Sequence, residues 1–282
     1  MTPAPEPARP GRLAASKLHL RLVDVNRRTY RVASLRPGCG VAFSTNYYHQ
    51  TWHVLSDPAG AAVLARLLWG LAFQRQPGTL VCIHGPHLRP TPFDADPSDP
   101  VVLVPTALTP VVNDDLRALR ERLRRPSREG TRINWPSFGL DRALDDNRPA
   151  YQLSPAEHWK RFRGDDQLEV RHAGGCVVIA GPPDALRSAA RSVHHMSRGG
   201  GDDGQGYLYL GRHQARYPDG EVQIFDRYHA MLSEAAEARR RTLESGDAPR
   251  EKEALLWAIG LRRETICKER RASRPLADTT KP

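Results

Sequence analysis

The chain has 282 residues, a formal net charge of +10, 39% hydrophobic residues and four cysteines. That length can bury a core in one large domain or two modest ones, and no apolar run reaches the roughly 20 residues of a membrane span. Four scattered cysteines without a CxxC pair exclude a dense disulfide framework and a structural zinc knuckle.

The charge is mostly arginine: lysine supplies only Lys17, Lys160, Lys252, Lys268 and Lys281 of the 42 basic residues. Arginine rises together with alanine, proline and glycine, as a GC-rich coding sequence would make it, so position says more than total. Residues 1–56 carry eight basic and two acidic side chains, whereas residues 221–282 carry 13 and 11. The basic excess lies early, where it would attract a polyanion.

Residues 1–16, with four prolines and no apolar run, read as a disordered arm without the core of a secretory signal, so a cytoplasmic protein is expected. Leu18, Leu20 and Leu22 alternate with polar neighbours and predict a strand to Val25. Asn26-Arg27-Arg28 turns into a second strand, Thr29–Leu35, and Pro37-Gly38-Cys39-Gly40 makes a further turn. A short strand follows over Thr51–Leu55. Asp57-Pro58 opens a helix, with Asp as N-cap and Pro in the first turn. Its body, Ala59–Phe73, has one charge, Arg66, and must be buried centrally or at a subunit contact.

Thr79–Ile83 reads as a buried strand, and the proline-rich stretch His84–Pro100 as a long loop of the kind that carries function. Val101–Val104 is a strand. Asn113 starts a helix to Arg125 with Leu116, Leu119 and Leu123 on one face. Residues 126–152 form an irregular connector. Ser154-Pro155-Ala156-Glu157 is a capping box for a helix to Phe162. A hairpin turns at Gly174-Gly175, a helix starts at Pro182-Pro183-Asp184, and Tyr207–Leu210 is a strand. Two helices end the chain, the first with Phe225, Tyr228, Met231, Leu232 and Ala235 at helical spacing, the second with Leu255, Ile259, Leu261 and Ile266.

The order of elements predicts an α+β fold: a first unit over 17–125, a second over 153–215, and a C-terminal helical hairpin with a tail over 216–282. Both units read strand, glycine turn, strand, helix, strand, which suggests two ββαβ-like units from a weak internal duplication. A crevice between them would be the natural ligand site.

Two constellations carry chemistry. Lys17, Arg21, Arg27, Arg28, Arg31 and Arg36 form a basic strand region. Trp52 in Tyr47-Tyr48-His49-Gln50-Thr51-Trp52-His53 adds an aromatic face of the type that stacks on bases, although the alternation of Trp52 and Val54 also fits ordinary strand packing. The leading expectation is therefore a non-enzymatic, regulatory binding protein for nucleic acid or another polyanion, without a cofactor, with the C-terminal helices contacting a protein partner or a second copy, and no membrane contact. The alternative is a metal-dependent hydrolase of phosphoesters or amides. In it, His84, His87, Asp94 and Asp96 hold a divalent transition metal that activates water, although HxxH lacks the helical HExxH context. A third reading is a structural subunit of a larger assembly. Gly199–Gly206 lacks the GK[ST] of a phosphate loop, His194-His195 reads as ordinary helix histidines, and Cys39, Cys82 and Cys176 read as structural thiols.

Overall fold

The computed structural model describes residues 17–124, 130–145, 168–197, 205–211 and 218–272. The arm at 1–16, the helix expected at 154–162, most of the glycine-rich loop and the terminal tail lie outside the described residues. The described residues form two compact units: those up to Arg89 with those from Ser98 to Asp226, and the segment Pro90–Pro97 with those from Arg227 onward.

The first unit is α+β. Strands β1 (Lys17–Val25), β2 (Arg28–Leu35), β5 (Thr79–Ile83), β6 (Val101–Pro105), β7 (Thr131–Asn134), β8 (Glu169–Ala173) and β9 (Cys176–Gly181) form one mixed sheet in the order β7-β1-β2-β5-β6-β9-β8. Strands β3 (Phe43–Tyr48), β4 (Thr51–Ser56), β10 (Gln205–Leu210) and β11 (Gly220–Phe225) form a second, in the order β10-β11-β4-β3. The hairpin turns place both central residues at positive φ: Asn26 and Arg27 at 47° and 65°, His49 and Gln50 at 49° and 62°, Gly174 and Gly175 at 59° and 75°. Positive φ at both positions matches the twist of the flanking strands.

Helix α1 (Pro58–Ala72) is capped by Asp57, whose side chain accepts from the Gly60 amide at 2.7 Å. Its apolar circumference is explained by its place: Leu64, Leu67, Leu68 and Leu71 are fully buried in a core shared by both sheets and by helix α4 (Pro183–Met196). Helix α2 (Asn113–Arg124) covers the opposite face of the large sheet with Leu116, Leu119 and Leu123. Near its start, Asp115 accepts hydrogen bonds from Tyr30 (2.5 Å), Asn26 (2.9 Å) and Arg28 (3.1 Å), which fastens the β1–β2 hairpin to the helix.

Part of the stretch expected to be an irregular connector is ordered. β7 pairs with Lys17–Leu20, Trp135 donates to the Arg66 carbonyl at 3.1 Å, and a short helix α3 (Leu140–Asp145) follows. β7 has only four residues, three of them exposed, so its sequence carries no burial period. Phe225, expected in the first C-terminal helix, instead ends β11. Val222 and Ile224 are buried while Glu221 and Gln223 are less so, a period of two that decides for a strand.

The expected duplication finds no support in the topology. β2 and β3 belong to different sheets, whereas β8 and β9 form a hairpin within one; β5 lies in the large sheet and β10 in the small one. The likeness is one of element order alone.

The second unit pairs α5 (Tyr228–Glu244) with α6 (Lys252–Ala272) through Ala238, Ile259 and Ile266. Glu234, at 2% exposure, is held by Arg227 at 2.9 Å and by the Cys267 thiol at 3.1 Å. Among the described residues no helix is long and apolar enough to cross a membrane.

Candidate ligand cavity

Alternation along β5 sends Leu80 and Cys82 to the α2 face of the large sheet, and His84, one step past the strand end, continues the same period. Val102 of β6 and Cys176 of β9 stand beside them. Leu116, Leu119 and Leu123 of α2 form the roof, with Leu88 closing one side. These groups enclose a cavity of about 240 Å³, and the polar residues on its wall include Ser98, Arg120 and Arg124.

The electrostatics of this cavity favour neutral walls with positive charge at one side. Burial pushes the Cys82 thiol far above its ordinary range, and the neighbouring Cys176 adds to this. Burial also raises Cys176 to about 11, partly opposed by the Arg120 guanidinium. Burial, followed by the nearby Arg21 cation and His87, lowers His84 to about 4. Burial thus favours the protonated form of both thiols and the uncharged imidazole. All four cysteines are free.

The arginines are positioned by different means. Arg120 lies over the Gly174-Gly175 turn, where a Cβ on Gly175 would stand 2.7 Å from its Nη1. Its Nη2 reaches Asp99 Oδ1 at 3.4 Å, and the other oxygen of Asp99 lies 2.9 Å from His172 Nε2. The His172 ring stacks on Trp52, centroids 4.4 Å apart and 10° between planes. Arg124 makes an exposed contact with Glu121 at 3.3 Å, one helical turn back. Such a surface pair is weak, which leaves Arg124 able to turn toward a ligand.

The basic residues expected to form a polyanion surface are only partly brought together. Lys17 begins β1 and Arg27 tips the first turn, both exposed. Arg28 is committed to Asp115. Arg21 lies on the α2 side, where its charge reaches His84, and Arg31, opposite Leu22 in the register, leaves β2 on the other sheet face, yet both reach one groove. Arg36 follows β2, half-buried. Arg21 and Arg31, with Arg122, line a groove of about 880 Å³ that also carries Asp24 and Glu121, so its charge is mixed. Trp52 meets Tyr47 at 5.0 Å as well as His172, so both neighbours already occupy its ring.

The four residues of the metal reading are dispersed among other duties. His84 lines the cavity. His87 Nδ1 lies 3.3 Å from the Val41 carbonyl and 3.5 Å from Cys39 Sγ. Asp94 and Asp96 belong to the second unit, where Asp94 accepts from Thr91 and Asp96 pairs with Lys252 at 3.0 Å and Arg239 at 3.8 Å. Among the described residues no group of three or more His, Cys, Asp or Glu side chains could hold a metal ion.

Neither Arg120, Arg124 nor Asp99 stands out in the sequence as a candidate. The readable signal was the period of two linking Leu80, Cys82 and His84, together with the leucine face of α2. No protein-family model, curated protein or solved structure matches the chain.

Proposed function

We propose that this chain is a binding protein for a small, mainly apolar organic anion, held in the cavity under α2. The observation that carries this reading is the composition of the wall. Leucine, valine, neutral thiols and a neutral imidazole surround a volume of about 240 Å³, and the cations beside it are arginines. Apolar concavities with a few convergent polar groups are the usual form of small-molecule sites, and the planar guanidinium suits a carboxylate, sulfonate or phosphate head. A polyanion reading has less behind it. It needs a surplus of cations on one open face, whereas Arg28 serves Asp115, and the groove lined by Arg21, Arg31 and Arg122 also carries Asp24 and Glu121.

The test compares 2-naphthoate with 2-naphthalenemethanol, which share an apolar body and differ in charge. Naphthoate should bind at least tenfold more tightly in calorimetry. Leu119→Trp, which fills the cavity, should abolish binding of both, and Arg124→Ala should erase the preference for the acid. Duplex DNA run alongside should show only weak, steeply salt-dependent retention. Equal affinity for both naphthyl compounds, or binding that survives Leu119→Trp, refutes the proposal.

A further inference from the structure

The second unit carries an outward ridge that its own packing does not explain. At 100° per residue, Glu253, Trp257, Gly260, Leu261, Glu264 and Lys268 of α6 share one face, opposite the buried Ile259 and Ile266. Trp257 is 71% exposed and Leu261 50%. A large aromatic and a leucine one turn apart are costly to leave in water, and tryptophan is among the residues enriched at the centres of protein contacts. Gly260 sits between them in mid-helix, where glycine weakens the helix relative to alanine. Nothing lies within 4 Å of the position a Cβ would take there, so no contact among the described residues requires it. It leaves a notch on the ridge, open to an incoming side chain.

The charges on the ridge say what fits it. Glu253 stands near the helix start and Lys268 near its end on the same face, and neither side chain has an ion-pair partner among the described residues. We propose that this face binds a second copy of itself, antiparallel, about a twofold axis passing between Gly260 and Leu261. In that arrangement Leu261 of each copy enters the Gly260 notch of the other. Trp257 lies along Glu264 of the other copy, whose carboxylate can accept from the indole N–H. Glu253 meets Lys268 of the second copy twice, once on each side of the axis. An isologous contact repeats every interaction in this way. A parallel pair would instead set Glu253 against Glu253 and Lys268 against Lys268. The ridge from Glu253 to Lys268 is about 24 Å long at 1.5 Å per residue, which places the interface at the small end of specific contacts. The expected dissociation constant is on the order of 10–100 µM.

The test is sedimentation velocity of the full chain from low micromolar to several hundred micromolar concentration. The natural chain should pass from monomer to dimer across that range, and Leu261→Arg should remain monomeric. E253K and K268E, each alone, place like charges together at both symmetric positions, and each should weaken association about tenfold at low salt. An equimolar mixture of E253K and K268E restores both opposite-charge contacts and should associate as tightly as the natural chain, which also shows that both variants are folded. A natural chain that stays monomeric throughout overturns the proposal and leaves the ridge for a different protein. A dimer that survives Leu261→Arg, or a mixture no tighter than its components, also overturns it and places the contact elsewhere.

Discussion

Replacing Asp115 by alanine should be among the most damaging single changes to the first unit that leaves its apolar core intact. The carboxylate is 2% exposed and accepts from three donors: Tyr30 at 2.5 Å, Asn26 at 2.9 Å and Arg28 at 3.1 Å. Burial by itself would raise its pKa, but the hydrogen bonds from Tyr30 and Asn26 and the Arg28 charge outweigh burial, and the net shift is downward. Removing it strands the Tyr30 hydroxyl, itself buried, with only the Pro110 carbonyl at 3.2 Å. A hydrogen bond to a charged group contributes about 1.5–3 kcal/mol. The half-exposed Arg28 adds at most about 1 kcal/mol, so Asp115→Ala should cost about 3–4 kcal/mol. At about 2–4 °C per kcal/mol for a unit of this size, the melting temperature should fall by about 6–16 °C. Urea denaturation followed by circular dichroism measures the loss, and Tyr30→Phe with Asp115→Asn closes a double-mutant cycle with an expected coupling of about 1–2 kcal/mol. Because the carboxyl pKa is depressed, this stabilisation is present above the unfolded value near 3.9 and disappears as pH falls through the folded value. A loss below about 1 kcal/mol for Asp115→Ala, or a cycle additive within about 0.3 kcal/mol, would refute the reasoning.

Three further outcomes follow from other parts of the first unit. Gly70→Ala would set a Cβ 2.1 Å from Trp135 Nε1 and 2.6 Å from the Pro136 carbonyl, so it should destabilise by about 3 kcal/mol or more and quench or shift the Trp135 fluorescence. With Cys176 at about 11, its thiolate fraction at pH 8 is about 200-fold below that of an ordinary thiol near 8.5; mass spectrometry should find it alkylated by iodoacetamide correspondingly slowly, and rapid labelling of the folded chain would contradict the cavity's electrostatics. His84, lowered to about 4, is neutral in the folded state while the unfolded imidazole protonates near 6.5. Stability should therefore rise with pH between those values; His84→Gln should flatten that slope, and Arg21→Gln should move the NMR titration of His84 upward.

Much of the fold could be read from local pattern because its elements declare themselves locally. The alternation of β1, the Asp57-Pro58 cap of α1 and the leucine spacing of α2 are properties of neighbouring residues. What escaped depends on partners distant in the chain. β7 is a strand because residues 17–20 offer it an edge, not because its own sequence alternates. Phe225 also fits the helical spacing of Tyr228 and Met231, and the pairing of β11 with β10 and β4 decides for the strand. For the candidate site the same division holds. The leucines of α2 and the thiol of Cys82 were legible as apolar faces. The Arg120–Asp99–His172 chain joins residues 21 and 73 positions apart, and no local pattern links them. The HxxH spacing misled for a related reason: after β5 the chain turns through the tight helix Gly85–His87, and so His84 and His87 face different surroundings.

The place of the cavity follows from a mismatch of widths. Seven strands at about 4.8 Å spacing make a sheet roughly 29 Å across, and a single helix with its side chains covers about 10 Å of it. The core face meets this demand with α1, α4 and the second sheet. Among the described residues the opposite face has only α2, twelve residues long, which packs with residues of β1, β2, β5, β6, β8 and β9. Toward the end of β5 the leucines of α2 roof Leu80, Cys82 and Val102 without filling all the space between, and the hollow lies there. A longer side chain at any of these positions would close it. The sequence instead keeps small or medium side chains on the floor and places Arg120 and Arg124 on the rim, so a solute that is apolar and carries one negative charge fits both parts of the hollow at once.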